Sequence, residues 1–390
     1  MKRILVFHPN LPPYRVDLFN ALFQKANVKI VFMSRSYLTH SFNVETLANQ
    51  LKGDYQFLTT GFNYKHYVFR YGIKRIILEF QPDVIVSYEF SILTIWLCFW
   101  KLYKRQPWAL VTLTDDSIDM VVNNGFCKRL LKRWCLGRLD GLLVGTKNIR
   151  DTYADMYDFD KIQIGICPVL QGDDSLRIKI GEGIEIATHY INRFKLKNKK
   201  VVLFVGRLAK EKNLPLLLKA FAYASNEDWK LVLVGEGKER ARLENLAKEL
   251  KIDEKVVLPG RYEEKALYAW YWLGGIFVLP SRYEPFGAVV NEALAAGIPC
   301  LVSEKAGAAC LIETKEHGEI FNIGDYKKLG QLLAGRMEEV KTLKGRLGNN
   351  LPPSLFGDKF NQVANGVVEF LGSVKNGSQG CNIRGRFQEK

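Results

Sequence analysis

Apolar positions along the chain follow two alternating patterns. Short unbroken runs such as Ile4–Phe7 have the length of a strand buried on both faces. Between them lie longer stretches where apolar residues recur every third or fourth position, as in Leu18, Phe19, Ala21 and Leu22. The runs predict strands over 2–9, 28–33, 84–88, 108–116, 141–145 and 161–166 in the first half. The periodic stretches predict helices over 16–25, 72–80 and 126–138, and the apolar run 92–100 reads as a buried helix. Regular alternation of this kind argues for parallel sheets covered by helices.

The second half repeats the alternation. Strands are predicted at 201–208, 230–237, 255–260, 275–281 and 299–303. Helices are predicted at 214–224, 239–250, 287–296, 326–346 and 358–371. The stretch 171–197 is polar, carries Gly172, Gly181 and Gly183, and reads as a linker. The expected layout is an α/β chain of two Rossmann-like domains, 1–170 and 198–355, facing across a cleft. A helix at 356–372 would cross back to the first domain, and a disordered tail would follow from 373.

Composition narrows the classes. A chain of 390 residues with 47% hydrophobic content exceeds one ordinary α/β core. Cysteines at 98, 127, 135, 167, 300, 310 and 381 lack CxxC spacing and read as reduced thiols. The five histidines are scattered, so no metal site is expected. Met1–Asn10 lacks the apolar core of a signal peptide. The run Ile92–Trp100 is too short to span a bilayer, which needs about 20 residues. These features point to a cytoplasmic protein.

The formal charge of +15 changes the picture at one segment. Residues 126–138 interleave Lys128, Arg129, Lys132, Arg133 and Arg138 with Phe126, Leu130, Leu131, Trp134 and Leu136. Such a helix suits an anionic membrane surface, cations outward and apolar groups inward. An ordinary helix with a solvated basic face is the other reading. No nucleic-acid-binding motif accompanies the charge, and nucleic acid is not an expected partner.

Candidate chemistry sits at strand ends, around 8–15, 87–91, 115–119, 206–213, 235–237 and 281–287, because ligands of open parallel sheets bind beyond them. In FVGRLAKEKN (204–213) a strand runs into a loop that places Arg207 and Lys212 five residues apart, two cations that suit a diphosphate. In the segment 281–299, Glu284 precedes a predicted helix opened by Gly287, and Glu292 lies within it. Eight residues is near two helical turns, so both carboxylates can face one cleft. Carboxylates accept from sugar hydroxyls, and a helix N-terminus suits phosphate oxygens.

The pattern EPFGAVVNE, after LPSRY and before ALAAGIP, resembles the signature of family-four glycosyltransferases of the GT-B fold. The resemblance extends over roughly 200–325 through VGRLAKEKN, LVLVGEGKER and VVLPGRYEE. LPPYRVDLFNAL resembles, more loosely, the first loop and helix of bacterial members that build surface polysaccharides or glycolipids. The resemblance implies a donor diphosphate held by Arg207, Lys212, Phe286 and Gly287. It implies Glu292 on the ribose, Glu284 on the transferred sugar, and Glu236 and Arg261 beside the nucleobase. Many members carry a glycine-rich first loop and a histidine at a first-domain strand end. This chain has HPNLPPYR at the former and TLTDDS at the latter, so Asp115 or Asp116 stands as the catalytic candidate there. Capping of the next segment is the alternative role for each.

The implied activity is transfer from a nucleotide-diphosphate-sugar, a UDP-sugar by expectation, with retention and without metal or other cofactor. The expected acceptor is a lipid-linked or cell-surface glycan precursor, with the enzyme peripheral at the inner face of the membrane. An epimerase of the same architecture and a non-catalytic nucleotide-sugar-binding protein remain open. The G-x-G at Gly235–Gly237 is not a dinucleotide fingerprint, since Arg240 occupies the third glycine position.

Overall fold

A computed structural model describes residues 2–35, 44–64, 67–103, 106–224, 227–340 and 351–376. It divides into two units: Met1–Pro168 together with the chain from Asn361, and Val169–Phe360. Each unit is a parallel sheet flanked by helices, a Rossmann-like arrangement, and together they give the GT-B class of fold.

The first unit runs β1 (Arg3–His8), α1 (Val16–Lys25), β2 (Asn27–Phe32), α2 (Val44–Ala48) and β3 (Asp54–Phe57). A hairpin follows, β4 (Gly61–Tyr64) and β5 (Tyr67–Arg70), then α3 (Ile73–Phe80), β6 (Val84–Tyr88) and α4 (Ile92–Tyr103). It continues with β7 (Ala109–Thr114), α5 (Ile118–Val122), α6 (Phe126–Leu136), β8 (Gly141–Val144), α7 (Lys147–Tyr157) and β9 (Ile164–Ile166). The sheet order is β3-β2-β1-β6-β7-β8-β9, all parallel. The central strands bury nearly every side chain, which is why they read as unbroken apolar runs.

The second unit opens with α8 (Asp173–Gly181) and α9 (Ile184–Arg193). There follow β10 (Lys200–Val205), α10 (Leu214–Ala224), β11 (Trp229–Val234), α11 (Arg240–Glu249), β12 (Val256–Gly260) and α12 (Glu264–Leu273). Next come β13 (Ile276–Leu279), α13 (Val289–Ala295), β14 (Cys300–Ser303), β15 (Gly318–Phe321) and α14 (Tyr326–Glu339). The sheet order is β12-β11-β10-β13-β14-β15, again all parallel. The last helix, α15 (Lys359–Ser373), sets Phe370 against Gly141 and Gly165 of the first unit. The expected helical stretch 340–346 and tail 373–390 fall largely outside the described residues.

Three expectations differ from the structure. The stretch 171–197 is not an open linker: α8 and α9 pack on α12 through the buried Leu176, Ile180, Ala187 and Tyr190. Helix α4 is buried on one face only; Trp96, Phe99, Leu102 and Tyr103 face solvent. In α6, Lys132 turns inward, whereas Phe126 and Leu130 are 76% and 52% exposed. The buried Asp116 draws the Lys132 ammonium into the core, and the helix rotates with it. Among the thiols, Cys127 and Cys310 are exposed and Cys381 lies outside the described residues.

Candidate functional site

Each sheet has a switch point, where strand order reverses and the two loops diverge to leave a crevice. In the second unit it lies between β10 and β13. The loop 206–213 leaves β10 and the loop 280–288 leaves β13. The topology therefore brings Arg207 and Lys212 beside Glu284, Phe286 and Gly287.

Side chains tie these loops together. Lys212 forms an ion pair with Glu284, both side chains being about nine-tenths buried at 14% and 13% exposure. Ser281 Oγ donates to the same Glu284 carboxylate at 3.4 Å. The Arg282 N–H donates to the Glu211 carbonyl at 2.8 Å, and Arg282 Nε donates to Asn213 Oδ1 at 2.9 Å. Arg207 is exposed and its guanidinium pairs with Glu211 at 3.1 Å. The loop leaving β14 supports the far side. The Gly307 N–H donates to the Glu284 carbonyl at 3.1 Å, and the Ala308 N–H to the Phe286 carbonyl at 2.7 Å. Phe286 itself is buried. Gly287 has φ +98, and a Cβ there would lie 2.7 Å from Leu279 Cδ2 and 3.2 Å from Glu284 Cγ. A side chain at 287 would displace the Glu284 stem.

The next two strand ends join this rim. The Leu208 N–H donates to the Glu236 carbonyl at 2.9 Å, and the Gly235 N–H to the Gly260 carbonyl at 2.8 Å. Gly235 has φ +147, and a Cβ would sit 1.8 Å from the Gly206 oxygen, so only glycine permits the contact. Glu236 pairs with Arg240 at 2.7 Å, and Arg261 pairs with Glu263. Both are exposed, in adjoining loops.

Glu292 differs from the expectation of two carboxylates facing the same way. It lies in the first turn of α13 and points inward. Tyr271 OH donates to one oxygen at 2.5 Å and Gln171 Nε2 to the other at 3.1 Å. Burial raises its pKa, against the opposing effect of these two donors and Lys179. Gln171 and Tyr271 were missed in the sequence because Gln171 was read as linker and α12 was not predicted.

The first unit's switch point lies between β1 and β6. His8, Arg15, Tyr88 and Asp115 gather there. Arg15 is fully buried and pairs with Asp115 Oδ1 at 2.7 Å, while Tyr88 OH donates to Asp115 Oδ2 at 2.6 Å. Burial, with the Arg15 charge second, lowers His8 to about 4, so the ring is neutral at physiological pH. The His8 Nε2 has no partner among the described residues. Of the two aspartates expected as catalytic, Asp115 keeps partial access, with a side chain 21% exposed. Asp116 is 4% exposed, and its carboxylate takes Lys132 Nζ at 2.5 Å and Tyr153 OH. That is a buried structural ion pair, which withdraws Asp116 from contact with a substrate. Arg15 and Tyr88 lie in the expected strand-end loops 8–15 and 87–91, but their burial and their shared partner Asp115 are set by the fold alone.

Residues 189–349 match the family model of glycosyl transferases group 1. This segment, which begins within the second unit, carries the likeness to the group 1 glycosyltransferases. An uncharacterized glycosyltransferase of Methanocaldococcus jannaschii is 37% identical over 144 residues, 37% of this chain and 36% of that protein. A second relative is 34% identical over 146 residues, 37% of this chain and 39% of the other. It is the N-acetylgalactosamine-N,N'-diacetylbacillosaminyl-diphospho-undecaprenol 4-alpha-N-acetylgalactosaminyltransferase of Campylobacter jejuni. The chain thus spans little more than a third of the length of these curated relatives. Among solved structures, Anabaena HepE in complex with UDP and glucose superposes with TM-score 0.70 at 14% identity. That match covers 96% of this chain and 100% of HepE, a likeness of fold. Among the described residues, no group of three His, Cys, Asp or Glu gathers as for a metal ion. No helix among them is long and apolar enough to cross a membrane.

Proposed function

We propose that this protein transfers a sugar, with retention and without a metal ion, from a UDP-sugar to a lipid-linked or cell-surface glycan precursor. The observation that carries the reading is the Lys212–Glu284 pair at the second unit's switch point. In the structure the cation and the carboxylate satisfy each other. A donor diphosphate would take over Lys212, helped by Arg207 and by peptide N–H groups near Phe286 and Gly287. Glu284 would then be released to accept from hydroxyls of the transferred sugar. Glu292, oriented by Tyr271 and Gln171, is assigned to the ribose, and the Glu236 and Arg261 loops border the base.

Charge grows on the departing diphosphate in the transition state, and preorganised cations aimed there lower the barrier. The acceptor oxygen bonds to the anomeric carbon on the face the phosphate leaves. The acceptor proton passes to the leaving phosphate oxygen. Asp115, steadied by Arg15 and Tyr88, is assigned as the catalytic carboxylate, either on a sugar hydroxyl or near the developing positive charge. The UDP preference is supported by the uridine nucleotide named for HepE, and the lipid-linked acceptor by the diphospho-undecaprenol named for the Campylobacter relative.

We assign the protein to the cytoplasmic face of the membrane as a peripheral enzyme. The support is the outward face of α4 and α6, where Trp96, Phe99, Leu102, Phe126 and Leu130 are exposed beside Lys128, Arg129 and Arg133. Exposed rings among cations suit the headgroup region of an anionic bilayer.

The test is a panel of nucleotide sugars with excess EDTA, following nucleotide release and the anomeric form of the product by NMR. The expected result is UDP release with retained configuration. Isomerised sugar without UDP release would give the epimerase instead. Activity abolished by EDTA and restored by magnesium would remove the metal-independent mechanism.

A further inference from the structure

Glu89 stands at the carboxyl end of β6, between strand and helix α4, and its backbone is left-handed with φ +55. Gln81 and Asp158 share that conformation, but each ends a helix, where it is common. Glu89 ends no helix, and a glutamate held this way between strand and helix costs free energy that its surroundings must offset.

The surroundings do so with five hydrogen bonds. The Glu89 N–H donates to the Leu113 carbonyl at 2.7 Å. Its carbonyl accepts from Thr94 Oγ1 at 2.7 Å and Thr112 Oγ1 at 2.9 Å. Its side chain turns to the end of β7. One carboxylate oxygen accepts from Thr114 Oγ1 at 2.9 Å, the other from the Asp115 N–H at 2.9 Å. Thr114 Oγ1 in turn accepts from the Asp116 N–H at 3.3 Å.

We propose that Glu89 is a positioning residue for the transfer reaction: its carboxylate grips the peptide of Asp115 from beneath and sets the direction of the Asp115 carboxylate. Arg15 and Tyr88 hold the Asp115 side chain, and Glu89 holds its backbone, so the group is fixed at both ends. The proposal rests on the assignment of Asp115 to the sugar.

The grip depends on protonation. An ionised carboxylate offers both oxygens as acceptors; a protonated one loses an acceptor site toward Thr114 or Asp115. Burial, then the charge of Asp116, raises the Glu89 pKa to about 7, so the grip loosens within the physiological range. The ionisable groups around it are Asp115 and Asp116 from the loop leaving β7, Tyr88 beside it, Lys132 from α6 and Tyr153 from α7. Lys132 is already taken by Asp116.

The experiment compares wild type with Glu89→Gln, Glu89→Ala and Asp115→Asn between pH 5.5 and 9. Two readouts are used: the Asp115 amide resonance in protein labelled with 15N-aspartate, assigned through Asp115→Asn, and UDP release from the panel's best UDP-sugar. The amide should titrate near pH 7 in wild type and stay flat in Glu89→Gln. Wild-type kcat should rise through the same range, and Glu89→Gln should lack that rise. Glu89→Ala should lose about tenfold or more in kcat, as expected for a misdirected group, with donor KM changed by no more than about twofold. An amide that titrates alike in wild type and Glu89→Gln overturns the grip, whether or not Glu89→Ala folds. Full kcat in folded Glu89→Ala, with Asp115→Asn impaired, overturns the proposal and leaves the Asp115 assignment standing. Full kcat in Asp115→Asn overturns both.

Discussion

At the scale of single residues, the two neighbouring aspartates have opposite fates. Asp116 is engaged with Lys132 and Tyr153 in the interior, so Asp116→Ala strands a buried ammonium. We expect it to cost about 3–5 kcal/mol, read from urea unfolding. An unfolding midpoint unchanged from wild type would contradict the structural role. Glu89 gives a pH-dependent counterpart. Its value of about 7 in the folded protein lies above its ordinary 4.5. Its contribution to stability is therefore full below pH 4.5 and is lost as pH rises through 7. Glu89→Gln has no such proton to lose, so its melting temperature relative to wild type should be higher at pH 8 than at pH 5. An equal difference at both values would contradict the raised pKa. Neither role was legible in the sequence: Asp115-Asp116 reads as one acidic pair, and only the partners that the fold brings to each one separate them. Arg15, for example, lies 100 positions before the aspartate it holds.

At the scale of elements, most strands and several helices were legible because each has one dominant period. Helix α1 was read to its observed ends, Val16–Lys25. Helices α8 and α9 were not read, since glycines and charges surround their few core-facing residues. The signal was present, however: Leu176 and Ile180 are four apart, and Ala187 and Tyr190 three apart. Helix α6 was recognised, but its rotation was not, because that depends on Asp116. The exposed rings lead to a prediction: Phe126→Ser with Leu130→Ser should weaken pelleting with phosphatidylglycerol vesicles at low salt without altering UDP release from soluble donor. Undiminished pelleting would remove this face from the bilayer. The strand-end rim leads to another. Gly235→Ala would press a methyl group onto the Gly206 carbonyl. We expect about 1–3 kcal/mol lower stability and loss of the thermal shift given by UDP. A wild-type shift with UDP would show that the rim does not shape the nucleotide site.

At the scale of the whole molecule, two parallel sheets place two switch points in one chain, and each gathers charged residues that are distant in sequence. The second unit's site was legible because Glu284, Phe286 and Gly287 form one compact motif, and Lys212 follows a strand end. In the first unit the sequence shows the strand-end loops 8–15, 87–91 and 115–119 and the candidate Asp115, but not which side chains meet, since His8, Arg15, Tyr88, Glu89 and Asp115 come from three strands and their following loops. In the proposed donor site Lys212 and Glu284 serve the donor together. The direct measurement is UDP release by Lys212→Ala and Glu284→Ala, each folded by melting, beside wild type in EDTA. Each should turn over at least about 100-fold more slowly, the scale of removing one preorganised charge from a leaving group or sugar. Near-normal turnover by both variants would contradict the donor site.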